Sequence, residues 1–198
     1  MVIGISGNAQ SGKNLFGSLL QTKLLNTYHQ KSELIAIATS LKEEIYDFLF
    51  QNFGFDSFSE KNEDKSQFRD LLVWYGNLKR RISEGQYWIE NIEKKVLDNQ
   101  NNNIISLITD VRFAEKPKDE LFWIKNVWCG KLVYIELNKK TTNGTKFVMP
   151  PANEHEKRNN KILKKNADYI LSWDFVDGDF QKLDKHINDF IDWWELFD

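Results

Sequence analysis

The chain has 198 residues, of which 28% are charged and 41% are apolar, and its formal net charge is −2. This composition predicts one globular domain, and the lack of a basic surplus argues against general nucleic-acid binding. A single cysteine, Cys129, excludes an internal disulfide framework and favours a reducing compartment. Because we find no signal-peptide pattern and no apolar run of about 18–20 residues, we expect a cytoplasmic protein without a membrane partner.

Short apolar segments rich in Ile and Val alternate with longer segments of helical spacing. The predicted strands cover residues 2–6, 34–38, 104–109, 132–137 and 169–171. Since these strands are apolar throughout, they are typical of a parallel sheet that helices cover on both faces. We therefore predict an α/β fold of three layers with a parallel sheet of about five strands.

Two segments lie outside this alternation. Residues 43–99 show no convincing strand, and their pattern predicts two to four helices inserted between the second and third strands. Residues 139–161 begin as a polar excursion that contains Gly144 and two consecutive prolines, and basic residues follow. This second segment is either a lid that closes over bound phosphates or a solvated basic face. We interpret residues 1–198 as a single domain.

The first predicted strand runs into a loop that matches the pattern G-x-x-x-x-G-K. The loop consists of Gly7, Asn8, Ala9, Gln10, Ser11, Gly12, Lys13 and Asn14. Glycines let the backbone curl so that N–H groups point at phosphate oxygens, and the following helix adds its positive end. Lys13 supplies a point charge to the outer phosphates. The pattern indicates a nucleotide-binding phosphate loop (residues 7–14), with a ligand-free strand–helix turn as the alternative.

Two side chains in this region are candidates for holding Mg²⁺. Asn14 stands where Ser or Thr usually presents a hydroxyl to the metal, and its amide oxygen is also a hard ligand. Asp110 ends the third predicted strand, and ligands gather at the carboxyl ends of parallel strands. Asp110 therefore either holds Mg²⁺ or its waters, or caps the next helix. Arg112 either grips a phosphate with both arms of its fork or forms a surface ion pair.

Four blocks of sequence, in this order, resemble the phage-type deoxynucleoside monophosphate kinases, which are P-loop NTPases with a nucleoside monophosphate kinase-like fold. The blocks are GNAQSGKN (7–14), IAIATSLK (35–42), RDLLVWYGNLKRR (69–81) with YWI (87–89), and TDVRF (109–113) with DEL (119–121). The family usually has an acidic residue after the loop lysine, and Asn14 is a near isostere of Asp. Departures at Thr39, Ser40, Val73 and Asn77 fall in the acceptor segments, so they bear on base preference.

The resemblance implies that the γ-phosphoryl group of ATP is transferred to a deoxynucleoside monophosphate, with Mg²⁺ as cofactor, in the host cytoplasm if the chain is viral. The phosphate loop would then bind ATP, Asn14 and Asp110 would hold the metal, and Lys13, Arg69 and Arg112 would be catalytic. The implied substrate-binding residues are Lys42, Arg69, Trp74, Arg80, Arg81, Trp88 and Arg112.

Aromatic residues leave two further questions open. The Trp74–Tyr75 pair is able to stack on the acceptor base, although packing at helical spacing is the alternative that we favour. The Trp193–Trp194 pair indicates a helix packed on the sheet or a homodimer contact.

Two other functions remain open. One is another small-molecule kinase of the same fold, such as a dephospho-coenzyme A kinase or a phosphomevalonate kinase, which would differ in the acceptor region. The other is a nucleotide-binding sensor that keeps the phosphate loop but no longer catalyses; Asn14 and the altered acceptor block motivate this alternative.

Overall fold

The computed structural model describes residues 1–59, 61–176, 178 and 180–194. The first half contains β1 (Val2–Gly7), α1 (Lys13–Tyr28), β2 (Ser32–Ile35), α2 (Ile37–Phe53), α3 (Asn62–Ile82), α4 (Tyr87–Asn101) and β3 (Ile105–Val111). The second half contains α5 (Glu120–Phe122) with a π-helical turn (Trp123–Val127), β4 (Lys131–Lys140), β5 (Lys146–Val148), α6 (Glu154–Lys165), β6 (Tyr169–Asp174), a 3₁₀ turn (Phe180–Leu183) and α7 (Asp184–Trp194).

The described strands form one six-stranded sheet, and its parallel part has the order β2-β3-β1-β4-β6. This confirms the predicted α/β fold with five parallel strands. The short β5 pairs antiparallel with the end of β4, and its three exposed residues lack the buried pattern that identified the other strands. Because β1 and β3 are neighbours, their carboxyl ends lie side by side, with Ser6 opposite Val111.

Helices cover both faces of the sheet, as its apolar strands require. α1 and α7 pack on one face, where Phe16 and Phe190 are fully buried with ring centroids 5.3 Å apart. The other face is covered by α2, α4, α6 and the π-helical turn, in a second cluster that includes Trp88, Ile124 and Leu163. The two layers hold the sheet rigid, so the loops at its carboxyl edge have a fixed base.

The insertion between β2 and β3 consists of α2, α3 and α4. Its outer part has a small core of its own, which contains Ile45, Leu49 and Phe68. Residues 139–161 divide into the β4–β5 hairpin, which is exposed over 141–148, and the first part of α6, where Asn159 and Asn160 are buried. Within the residues that the structure describes, no helix combines the length and the apolarity needed to cross a bilayer.

Candidate active site

The phosphate loop is packed directly against the strands beneath it. A Cβ at Gly7 (φ +144) would overlap the carbonyl oxygen of Ile135 in β4, and a Cβ at Gly12 (φ +89) would lie 2.5 Å from the Trp173 ring of β6. Trp173 Nε1 also donates to the Ser11 carbonyl oxygen at 3.0 Å. Both glycines are therefore required by backbone conformation and by space.

Above this floor, the loop presents donors to an incoming anion. α1 begins at Lys13 and no side chain caps its N-terminus, so its first N–H groups have no partner inside the helix. Ser11 Oγ is buried and has no hydrogen-bond partner in the described part of the chain. Lys13 Nζ donates to the carbonyl oxygens of Gly7 at 2.9 Å and Asn8 at 2.8 Å. The residues present thus fit the phosphates of ATP.

Lys13 is the electrostatic centre of the site. Its pKa is lowered to about 8, chiefly by burial and then by the Arg112 guanidinium, although the Glu156 and Asp110 carboxylates act in the opposite direction. Three of the predicted residues, Lys13, Asp110 and Arg112, are therefore brought close enough to interact. A polyanionic ligand would stabilise the charged form of Lys13 that burial penalises.

Asp110, near the end of β3, accepts two backbone hydrogen bonds from the start of α2. Its Oδ1 accepts from the Ile37 N–H at 2.7 Å, and its Oδ2 accepts from the Ala38 N–H at 2.9 Å. The residue before α2, Ala36, has no side-chain oxygen that could do this. Because the helix is capped here, the second strand ends at Ile35, earlier than predicted. Asp110 caps a helix that precedes it in the chain.

The donor set fits a magnesium ion that is shared with bound phosphates. Among the residues that the structure describes, no group of three or more His, Cys, Asp or Glu could hold a metal ion unaided. Mg²⁺ usually takes only one or two protein ligands beside phosphate and water. Each oxygen of Asp110 accepts one N–H and keeps a second lone pair. Asn14 is exposed in the first turn of α1. The metal roles of Asn14 and Asp110 stay predictions.

Arg112 follows β3, and its backbone is held by a buried carboxylate. Glu120 Oε2 accepts from the N–H groups of Arg112 at 2.6 Å and Phe113 at 3.0 Å. Burial raises the pKa of Glu120 to about 7, although Arg80 and the two N–H groups favour its ionised form. The Arg112 side chain is exposed, so it is available to an incoming phosphate.

A cavity of about 250 Å³ opens beside this loop, between the end of α3, residues 113–119 and the start of α6. It is lined by Asn77, Arg80, Arg81, Phe113, Glu115, Lys116, Asp119 and His155. Basic side chains and an aromatic ring together suit an organic molecule that carries a phosphate. We take this cavity as the candidate acceptor pocket.

Two adjacent arginines of α3 have different surroundings. Arg81 is exposed and lines the acceptor pocket. Arg80 is only 6% exposed, and its guanidinium pairs with Asp119 at 2.5 Å and Glu120 at 3.3 Å. Its charge is therefore already matched inside the protein. Arg80 thus supports the pocket wall, whereas the Arg81 side chain is exposed at the pocket.

The other predicted substrate-binding residues are spread over the insertion. Trp88 is buried, and its Nε1 donates to the Gly76 carbonyl oxygen at 3.1 Å. Lys42 Nζ lies 5.6 Å from the centroid of the Phe58 ring. Arg69 is exposed on α3, about 16 Å along the helix axis from the arginines described above. Trp74, on the same helix, is 60% exposed.

Sequence reasoning missed the residues by which α6 contacts the phosphate loop. Glu156 Oε1 accepts from the Ala9 N–H at 2.7 Å, and Asn160 Nδ2 donates to Asn8 Oδ1 at 2.6 Å. A helix start was detectable here, because Asn153 caps α6 by accepting from the Glu156 N–H at 2.9 Å. The contact with a loop 147 residues earlier has no local signal.

The parallel sheet, the phosphate loop between β1 and α1, and the charged residues at the strand ends define an ATP-dependent small-molecule kinase of the P-loop class. The family model of phosphomevalonate kinase matches residues 5–126, which is more than half of the chain. The chain belongs to the phosphomevalonate kinase family.

Two shikimate kinases are among the solved structures whose backbone fold is similar to that of this chain. The enzyme from Bacteroides thetaiotaomicron has 15% sequence identity, with 99% of each chain covered and a TM-score of 0.45. The enzyme from Acinetobacter baumannii, solved in complex with shikimate, has 13% identity over 98% of this chain and 94% of that chain, with a TM-score of 0.41. No curated protein sequence matches the chain.

The lowered pKa of Lys13 predicts that ATP affinity depends on pH. Bound phosphates raise the pKa of the ammonium, so affinity is fully present below the free-state pKa of about 8 and is lost progressively as pH rises from there towards the higher pKa of the ATP-bound state. We expect the dissociation constant of ATP, measured by calorimetry without Mg²⁺, to increase about tenfold between pH 7 and pH 9. Lys13→Arg stays charged and should show no such slope; an equal slope in both proteins would contradict the assignment.

The capping role of Asp110 predicts a stability loss that needs no ligand. Asp110→Asn keeps only one acceptor oxygen, so one N–H at the start of α2 loses its partner. We expect the free energy of unfolding to fall by about 1 kcal/mol in urea titrations. Asn14→Ala should leave stability unchanged, while both variants should raise the Mg²⁺ concentration needed for turnover. Wild-type stability in Asp110→Asn would show that the cap contributes nothing.

Proposed function

We propose that this kinase transfers the γ-phosphoryl group of ATP to the phosphate of a deoxynucleoside 5′-monophosphate and so forms the diphosphate. The solvent face of α3 is the observation that carries the proposal. Trp74, Asn77 and Arg81 are all exposed on this helix, and Asn77 and Arg81 line the acceptor pocket.

The spacing along α3 suits a mononucleotide. Trp74 and Arg81 are seven residues apart, which places them on one side of the helix and about 10 Å apart along its axis. This separation is comparable with that between the base and the 5′-phosphate of a nucleotide. The indole of Trp74 provides a face for stacking, and Arg81 provides a fork for the phosphate.

On the donor side, the phosphate loop binds the ATP phosphates through its N–H groups and Lys13. Mg²⁺, held by Asp110 and Asn14 together with the phosphates, would neutralise negative charge on the transferred group. Arg112 lies close enough to Lys13 to lower its pKa, and the next residue along the chain, Phe113, lines the acceptor pocket. The task of the site is to bring the ATP phosphates and the acceptor phosphate together in line. No general base is needed, because the attacking group is already a phosphate oxygen.

Phosphomevalonate is the second candidate acceptor, because the family match over residues 5–126 favours it. It carries the same kind of phosphate group, so Arg81 and Arg112 would act in the same way. It has no ring to stack on Trp74, and its carboxylate needs a further cation, for which Lys116 is available in the pocket. The two acceptors therefore make different demands on Trp74 and on Lys116.

A coupled ADP-release assay with the four deoxynucleoside monophosphates and phosphomevalonate tests the proposal. We expect turnover with at least one deoxynucleotide, and we expect Lys13→Ala to abolish it, since the loop then loses its only side-chain cation. Turnover of phosphomevalonate alone would transfer the assignment to the second candidate. Tight ATP binding without turnover of any acceptor would instead indicate a nucleotide sensor.

The stacking role of Trp74 gives a separate prediction. Trp74→Ala removes the proposed base platform, so the KM for the deoxynucleotide should rise about tenfold or more, with an unchanged KM for ATP. Phe53→Ala is the matched control, because Phe53 is 59% exposed, as Trp74 is 60% exposed, but lies at the end of α2 and not on α3. Equal KM values in wild type and Trp74→Ala would exclude stacking at this residue.

A further inference from the structure

One buried ion cluster joins the helical insertion to the loop after β3. Its members are Arg80 of α3 with Asp119 and Glu120 at the start of α5, and they are only 6%, 1% and 2% exposed. Arg80 Nη2 lies 2.5 Å from Asp119 Oδ1, and Nη1 lies 3.3 Å from Glu120 Oε1. The guanidinium carbon also lies 3.4 Å from the ring centroid of Phe113. The Arg80 guanidinium is thus held by the two carboxylates along its edge and by the Phe113 ring on one face.

Each carboxylate of the ion cluster divides its two oxygens between α3 and the loop. Glu120 uses Oε1 for Arg80 and Oε2 for the N–H groups of Arg112 and Phe113. Asp119 uses Oδ1 for Arg80 and Oδ2 for the Lys116 N–H at 2.7 Å. The backbone of residues 112–116 is therefore fastened to the same guanidinium that anchors the end of α3.

The cluster is tightly packed on the side of Gly85. The chain leaves α3 through Gly85 (φ +105), where a Cβ would overlap Asp119 Oδ1. The Gly85 N–H donates to the Arg80 carbonyl oxygen at 2.8 Å, and Lys116 Nζ donates to the same oxygen at 3.2 Å. This arrangement sets the end of α3 and the loop after β3 in one fixed relation.

We propose that Arg80, Asp119 and Glu120 are positioning residues that hold Arg112 against the end of α3, so that Arg112 and Arg81 converge on the acceptor phosphate. This role rests on the proposed function, because it concerns the binding of a phosphate-bearing acceptor. The charges of the three residues are paired with one another, and their positioning role acts through the backbone of the loop. A shift of about 1 Å in such a group costs about 100-fold in rate.

Glu120→Gln tests the coupling with little change of shape. The amide has one acceptor oxygen and one NH₂ group, so it satisfies either Arg80 or the two loop N–H groups, but not both. We expect kcat to fall about 10- to 100-fold and the acceptor KM to rise, while the KM for ATP stays within about twofold. Arg80→Lys keeps the charge without the fork and should show the same pattern. Arg80→Ala is unsuitable, because two buried carboxylates would lose their cation.

Glu33→Gln is the matched control. Glu33 also joins a strand to a helix, through Lys95 at 2.7 Å and Asn99 at 2.9 Å, but it lies in β2 opposite Ser106, in the early part of β3. We expect its kinetic parameters to equal those of wild type. A fall in kcat that only matches the loss of folded protein, with unchanged KM values, would refute the positioning role. Wild-type kinetics in Glu120→Gln would also refute it.

Amide exchange in the substrate-free protein separates this proposal from the proposed function. Followed by NMR, the N–H groups of Arg112 and Phe113 should exchange at least tenfold faster in Glu120→Gln than in wild type, because the amide oxygen turns to the Arg80 cation and leaves both N–H groups without their common acceptor. This result would support the fastening of the loop even if wild type phosphorylated no deoxynucleotide. Unchanged exchange at both amides would overturn it.

Discussion

The close approach of the phosphate loop to β4 and β6 is the constraint on which the site depends. Because neither Gly7 nor Gly12 has space for a Cβ, the backbone curls tightly and Lys13 folds back onto its own loop. The same packing takes Lys13 out of water and lowers its pKa to about 8. Because burial penalises the charged form of Lys13, a bound polyanion stabilises that form strongly. The close packing of the loop therefore explains both its geometry and its affinity for phosphate.

Buried or half-buried carboxylates hold the elements of the site around that loop. Asp110 joins β3 to α2, Glu120 joins the Arg112 loop to α3, and Glu156 joins α6 to the phosphate loop. In each case the carboxylate accepts from backbone N–H groups, and such charge-assisted bonds are stronger than neutral ones. The acidic residues thus build the frame, which leaves Arg81 and Arg112 exposed to bind phosphate.

The acceptor pocket is built from segments that lie inside the family match and one residue that lies outside it. The family match includes the phosphate loop, the insertion and the loop after β3, and it ends before β4. Of the residues that line the pocket, only His155 comes from the chain beyond the match. The pocket is therefore built from the end of α3, the loop after β3 and the start of α6.

The strands, the phosphate loop and the charged residues at the strand ends could be predicted because their signals are local. Apolar runs identify strands, glycine spacing identifies the loop, and Asp110 and Arg112 stand directly after an apolar run. The different roles of Arg80 and Arg81 could not be predicted in this way. The two residues are neighbours of the same type, and about 100° of helix rotation turns one towards buried carboxylates and the other towards the pocket.

By itself, the sequence determined the class of fold, the place of the phosphates and the identity of Lys13 as the cation beneath them. Only the tertiary structure decided which carboxylates build the site and which arginines remain free to bind. Glu120 meets Arg80 across 40 residues, and Glu156 meets Ala9 across 147. Such contacts form because charges removed from water need partners, and the partners that the fold supplies are not recorded in any pattern within one segment.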